Sequence, residues 1–136
     1  MTFRVRDIGR SKAFYAAALA PLGYRIAFEA NFDGSNIVGL GQPDASQAHG
    51  MKIDTWLIDG PSPHGGPATS SGCHLAWAAG SRAAVDAFYS AALAAGGQDN
   101  GAPGVRPHYH ADYYGAFVID PDGNNVEAVC HAPSPA

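Results

Sequence analysis

The side chains most able to do chemistry together are His74 and Glu127. An imidazole and a carboxylate suit a divalent metal of the zinc, nickel, iron or manganese group. Glu127 sits in Asn125–Cys130, where Val126, Ala128 and Cys130 share one face and leave Glu127 on the other. His74 opens the apolar stretch Cys73–Ala78 with parity opposite to Cys73. A third group of candidates is dense rather than periodic: Arg106, His108, Tyr109, His110, Tyr113 and Tyr114 fall within nine residues. So many hydrogen-bonding groups on aromatic side chains fit recognition of a small polar or anionic ligand.

What must position these residues follows from a repeat. Residues 13–20 (AFYAAALA) and 87–94 (AFYSAALA) agree at seven of eight positions, at an offset of 74. The same offset sets Asp7 against Ser81, two residue types that cap helices. The chain therefore reads as a duplicated unit. Carried further back, the offset sets His74 against a position one residue before Met1.

Each unit reads strand, helix, three strands. In the first, Thr2–Arg6 alternates, a helix runs from about Ile8 to Leu19 and stops at Pro21 and Gly23, and strands follow at Tyr24–Ala30, Asn36–Leu40 and Met51–Ile58. Turns are expected at Asp33-Gly34 and over 42–46. Residues 59–72 hold four Gly and three Pro in fourteen positions and read as a linker between units 1–58 and 73–131. The second unit follows with strands at Cys73–Ala78, near Gln98–Asn100, at Gly115–Ile119 and at Asn125–Cys130, and a helix from Arg82 to about Ala95. Residues 101–114 read mostly as loop. If the last three strands form a meander, the first strand of a unit lies parallel to its fourth, and His74 and Glu127 stand side by side on the concave face. Were they level, Cys73 and Cys130 would be four residues apart along the strands, about 13 Å, so both thiols are expected to be free.

With 46% hydrophobic and 15% charged residues in 136, the chain is one globular domain. A net charge of −4 offers no basic surface for nucleic acid or anionic lipid. No apolar run approaches the roughly 18 residues that span a bilayer, and Arg4, Arg6 and Asp7 stand where a signal peptide needs an apolar core. Together with only two cysteines, this gives the expectation of a cytoplasmic protein.

Five stretches carry a resemblance: Val5-Arg6-Asp7, Arg10–Tyr15, Leu19–Tyr24, His74–Trp77 and the closing Asp120-Pro-Asp-Gly-Asn-Asn-Val-Glu127. Together they resemble the vicinal oxygen chelate superfamily, which contains glyoxalase I, the bleomycin-resistance proteins and the extradiol dioxygenases. The resemblance implies an α+β fold of two βαβββ modules curled around a pocket, metal ligands on the first and fourth strands of each module, and a homodimer, in some members with modules paired across chains. Its second-module ligands map onto His74 and Glu127, with Glu127 also moving a proton. The first-strand ligand of the other module maps before Met1: either the chain starts internally and has lost a histidine, or it never had one. The fourth-strand ligand should lie in Met51–Ile58, where alternation turns Asp54 and Trp56 to the pocket, and only Asp54 of these can bind metal. The implied function is a divalent-metal-dependent enzyme (lyase, isomerase or dioxygenase) acting on a small oxygen-chelating substrate. The alternative is a metal-free binding protein of the bleomycin-resistance type, with a groove lined by Trp56, Trp77, Arg106, His108, Tyr109 and Tyr114.

Overall fold

The computed structural model describes residues 1–61, 64–65 and 69–134. Part of the linker expected over 59–72, namely 62, 63 and 66–68, lies outside the described residues. The chain runs β1 (Thr2–Arg4), α1 (Ile8–Leu19), a 3-10 turn (Ala20–Leu22), β2 (Arg25–Phe32), β3 (Ser35–Pro43) and β4 (Met51–Ile58). It continues through β5 (His74–Ala78), α2 (Arg82–Ala94), β6 (Gln98–Asp99), β7 (Gly104–Val105), β8 (Tyr114–Ile119) and β9 (Asn125–Cys130). Among the described residues no helix is long and apolar enough to cross a membrane.

The strands make two mixed sheets, ordered β1-β4-β3-β2 and β5-β9-β8-β6, with β7 also on β8. In each, the first strand is parallel to the last and the others are antiparallel. The helices start alike. Asp7 accepts a hydrogen bond from the Arg10 amide and Ser81 from the Ala84 amide, both at 3.1 Å, satisfying donors a helix leaves unpaired in its first turn. The hairpin between β2 and β3 turns on Asp33 and Gly34, whose φ values of 51° and 83° match the twist of the flanking strands.

One core joins both sheets and both helices. Phe14, Tyr15, Ala18 and Leu19 of α1, Val85, Phe88 and Ala92 of α2, Phe3, Leu57, Trp77 and Val126 are all buried in it. Phe3 stacks on Tyr15 at 5.4 Å and on Trp77 at 6.3 Å. Asp120, Asp122 and Asn124 of the β8–β9 turn act as a brace. Asp120 accepts from the Asp122 and Asn124 amides, from the Asn124 side chain and from the Tyr15 hydroxyl at 2.5 Å. Asn124 also accepts from the Cys73 amide and donates to the Ser70 carbonyl. Polar groups this deeply buried persist because each has a partner.

Two bulges break the strand alternation. Ile26 pairs with Leu40 and Phe28 with Gly39, so Ala27 is an extra residue in β2. Leu40 pairs with Thr55 and Gly41 with Ile53, so Asp54 is an extra residue in β4. The strand expected at Asn36–Leu40 extends to Ser35–Pro43, and the stretch read as loop contributes β7.

Candidate functional site

Glu127 is held by three neighbouring strands. The buried Val126, Ala128 and Cys130 anchor β9 on the helix side, and Glu127 projects the other way, yet it is only 2% exposed. Covering groups account for this burial. Phe117 of β8 is its direct cross-strand partner. Gly115, also on β8, leaves space that a Cβ would fill, 3.2 Å from the Tyr113 ring and 3.4 Å from Glu127 Oε2. His74 comes from β5 on the other flank, and its Nε2 lies 2.8 Å from Glu127 Oε1. The Tyr113 hydroxyl donates to Glu127 Oε2.

The two residues are not level. His74 pairs with Asn125, and Ala76 pairs with Glu127. They meet because 125 and 127 share a face and two long side chains bridge an offset of about 7 Å. With Cys73 therefore level with Asn124, Cys73 and Cys130 lie six residues apart along the strands rather than four, about 20 Å. Both are free.

Burial is the main cause raising the Tyr113 pKa above its ordinary value, and its hydrogen bond to Glu127 and that carboxylate's charge add to it. The phenol is thus held neutral, a donor to Glu127 across the physiological range. His74, whose side chain is 54% exposed, faces solvent, and with Glu127, His108, Tyr109, His110 and Tyr113 it lines a hollow of about 510 Å³. Tyr109 packs between His108 and Tyr113, with ring centroids at 4.2 and 4.8 Å.

Of the residues expected at the site, His74, Glu127, His108 and Tyr109 come together here. Arg106 is adjacent but folded back on its own loop: it donates to the carbonyls of Ala102 and Gly104 and lies 5.4 Å over the Phe117 ring. Tyr114 faces the opposite side, donating to Asp86 of α2 with Arg82 over its ring. Trp77 is core, 3% exposed, and donates to Thr55 Oγ1 at 3.2 Å. Its parity, shared with Cys73 rather than His74, already excluded it from the pocket face. Asp54 does not join His74 and Glu127. As the bulge residue it accepts from the Tyr24 and Thr55 hydroxyls, both at 2.9 Å. Trp56 lies on the helix-opposite face of the first sheet, as Glu127 does on the second, 5.7 Å from Phe28 and apart from the His74–Glu127 hollow.

Tyr113 is the contact that sequence reasoning did not assign. Alternation along β8 held the signal, because 113, 115 and 117 share the Glu127 face and 114 does not. His110 and His131 form a further pair, with Nε2 and Nδ1 2.9 Å apart.

The donor set bears on a metal. Two nitrogen and oxygen ligands about 2.1 Å from one ion at a right angle stand about 3.0 Å apart, close to the observed 2.8 Å. His74 and Glu127 can thus take adjacent positions on a common cation. Among the described residues no group of three or more His, Cys, Asp or Glu side chains gathers closely enough to hold a metal.

A family model described as "Glyoxalase/Bleomycin resistance protein/Dioxygenase superfamily" matches residues 1–128. No curated protein matches the chain. Among solved structures, a glyoxalase/bleomycin resistance protein from Albidiferax ferrireducens T118 is 29% identical, with 95% of this chain and 93% of that chain covered and a TM-score of 0.65. A glyoxalase-related enzyme from Fulvimarina pelagi is 23% identical over 96% of this chain and 84% of that one, with a TM-score of 0.64. Glyoxalase I from Zea mays is 18% identical with a TM-score of 0.66, and the match takes 98% of this chain but 43% of the maize chain.

Proposed function

From the premise that the chain belongs to the glyoxalase/bleomycin resistance protein/dioxygenase superfamily, we propose that it is a divalent-metal-dependent enzyme acting on a small substrate that presents adjacent oxygens. The observation that carries this reading is the 2.8 Å approach of His74 Nε2 to Glu127 Oε1 at the floor of a solvent-facing hollow. His74 and Glu127 are the residues that would hold the ion, whose contribution when bound is to polarise an oxygen of the substrate.

The chain's own groups account for binding and proton handling. Glu127 is the one carboxylate among the side chains lining the hollow and accepts a proton from the substrate. Tyr113, holding Oε2, orients that carboxylate and leaves Oε1 toward His74. His108 and Tyr109 supply a polar and aromatic wall against which the substrate is placed. By analogy with the family the protein acts as a homodimer.

One observation favours a second reading, a metal-free binding protein. The pairings Thr2–Trp56 and Ala76–Glu127 put an indole in the first sheet where the second has its carboxylate. Metal analysis separates the two. Titration of the purified protein with Ni²⁺, Zn²⁺ or Mn²⁺ should reach about one ion per chain, and His74→Ala should abolish uptake. Uptake indifferent to that substitution leaves the binding-protein reading in place.

A further inference from the structure

Asn125 carries the one buried side-chain oxygen among the described residues that finds no donor: its Oδ1 is shut off from solvent and makes no hydrogen bond. Leaving a buried acceptor unpaired costs stability, and native structures hold few such groups. Its place in the sheet shows what it faces. Residues 125 and 127 of β9 share a face, so Asn125 stands beside Glu127. On the other flank Asn125 is level with His74, on a parallel strand about 4.8 Å away. The His74 side chain leaves β5 and crosses over β9: its ring centroid lies 6.1 Å from that of Phe117 on β8, and its Nε2 reaches Glu127 Oε1.

Proton positions explain the unpaired oxygen. An ionised carboxylate only accepts, and Glu127 Oε2 is already taken by the Tyr113 hydroxyl, so the 2.8 Å contact at Oε1 places a proton on His74 Nε2. In a neutral imidazole that leaves Nδ1 with a lone pair and nothing to donate to the neighbouring Oδ1. The opposite tautomer reverses this. With Nε2 stripped of its proton, Nδ1 carries one and needs an acceptor at the level of His74, where Asn125 stands. A histidine that ligates through Nε2 must be in that tautomer, and its other N–H is ordinarily held by an acceptor.

We infer that Asn125 is a positioning residue for His74: its Oδ1 accepts the Nδ1 proton when Nε2 ligates a divalent cation, and so fixes the tautomer and the ring. The inference rests on the metal reading of the site. Asn125 is not itself a ligand, and its unpaired oxygen is stability given up for a ready acceptor.

The test uses the full chain, Zn²⁺ as the probe, and two variants: Asn125→Leu, which removes the acceptor at similar size, and Asn125→Asp, which keeps one. Without added ion, Asn125→Leu should raise the urea midpoint, because an unpaired buried oxygen is gone, whereas loss of a structural amide would lower it. In calorimetry the same variant should bind Zn²⁺ about tenfold more weakly, and Asn125→Asp at least as tightly as the parent chain. Imidazole ¹⁵N spectra should place the His74 proton on Nε2 without ion and on Nδ1 with Zn²⁺. If Zn²⁺ uptake depends on His74 but Asn125→Leu binds with unchanged affinity, or binds more weakly together with a lowered urea midpoint, the inference falls and the metal reading stands. If the parent chain takes up no Zn²⁺, or His74→Ala leaves uptake intact, both fall. Should Asn125→Leu not fold, the parent chain decides: a Zn²⁺-loaded His74 with its proton still on Nε2, or an Nδ1–H that exchanges with water as fast as that of free imidazole, overturns the inference.

Discussion

Trp56 and Glu127 stand at equivalent places in the two sheets. Thr2 and Ala76, separated by the repeat offset of 74, are their partners on the parallel first strands. One sheet thus carries an indole where the other carries a buried carboxylate, so the two copies no longer do the same chemistry. Glu127→Gln should lower divalent-ion affinity at least tenfold in calorimetric titration, because it removes the anionic ligand. Trp56→Phe should leave that affinity unchanged. Equal loss in both variants would place the ion elsewhere.

Tyr113→Phe deletes the donor to Glu127 Oε2 and leaves a buried carboxylate oxygen unsatisfied. A loss of about 1.5–3 kcal/mol is expected in urea unfolding. Tyr114→Phe removes a more exposed bond to Asp86 and should cost about 0.5–1 kcal/mol. A reversed order would contradict the assignment of opposite faces to these neighbours.

Asp120 receives four hydrogen bonds in a buried turn that ties the last hairpin to α1. Asp120→Ala should destabilise by about 3 kcal/mol or more, since its donors lose their acceptor together. Tyr15→Phe should cost less, and a double variant should fall short of the sum, because the two residues share one bond. Thermal melts of the four proteins read this directly.

Asp122 gives a pH dependence. Burial raises its pKa above the ordinary carboxylate value, against lowering contributions from Arg6 and Ser11. A raised pKa means that the folded state favours the neutral form. The stability from this residue is therefore fully present below the unfolded carboxylate range and lost as pH rises through the folded value. Asp122→Asn stays neutral, so its Tm relative to the parent protein should rise between about pH 3 and pH 7. A difference in Tm that does not vary with pH would count against this account.

Much of the fold was legible in the sequence for local reasons. Helix caps at Asp7 and Ser81, apolar stripes at helical spacing, the Asp33-Gly34 turn and strict alternation in β9 each act within a few residues, and the repeat tied the two halves together. The Glu127 face followed from the same alternation, and the free cysteines from their separation along parallel strands, which the register makes six residues rather than four. The Asp120–Asn124 stretch marked the family, but its work as a brace to Tyr15, Cys73 and Ser70 involves partners 51 to 105 residues away.

What only the tertiary structure decided is where alternation stops. The bulge at Asp54 holds that residue against Tyr24 and Thr55 and brings Ile53 to the helix-opposite face, and the bulge at Ala27 brings Phe28 to the same face. Strand register put His74 level with Asn125 and left side-chain length to close the gap to Glu127. A bulge or a register is chosen by how one strand fits its neighbours and the core beneath them. That balance is summed over contacts far apart in the chain, so no short window of sequence contains it.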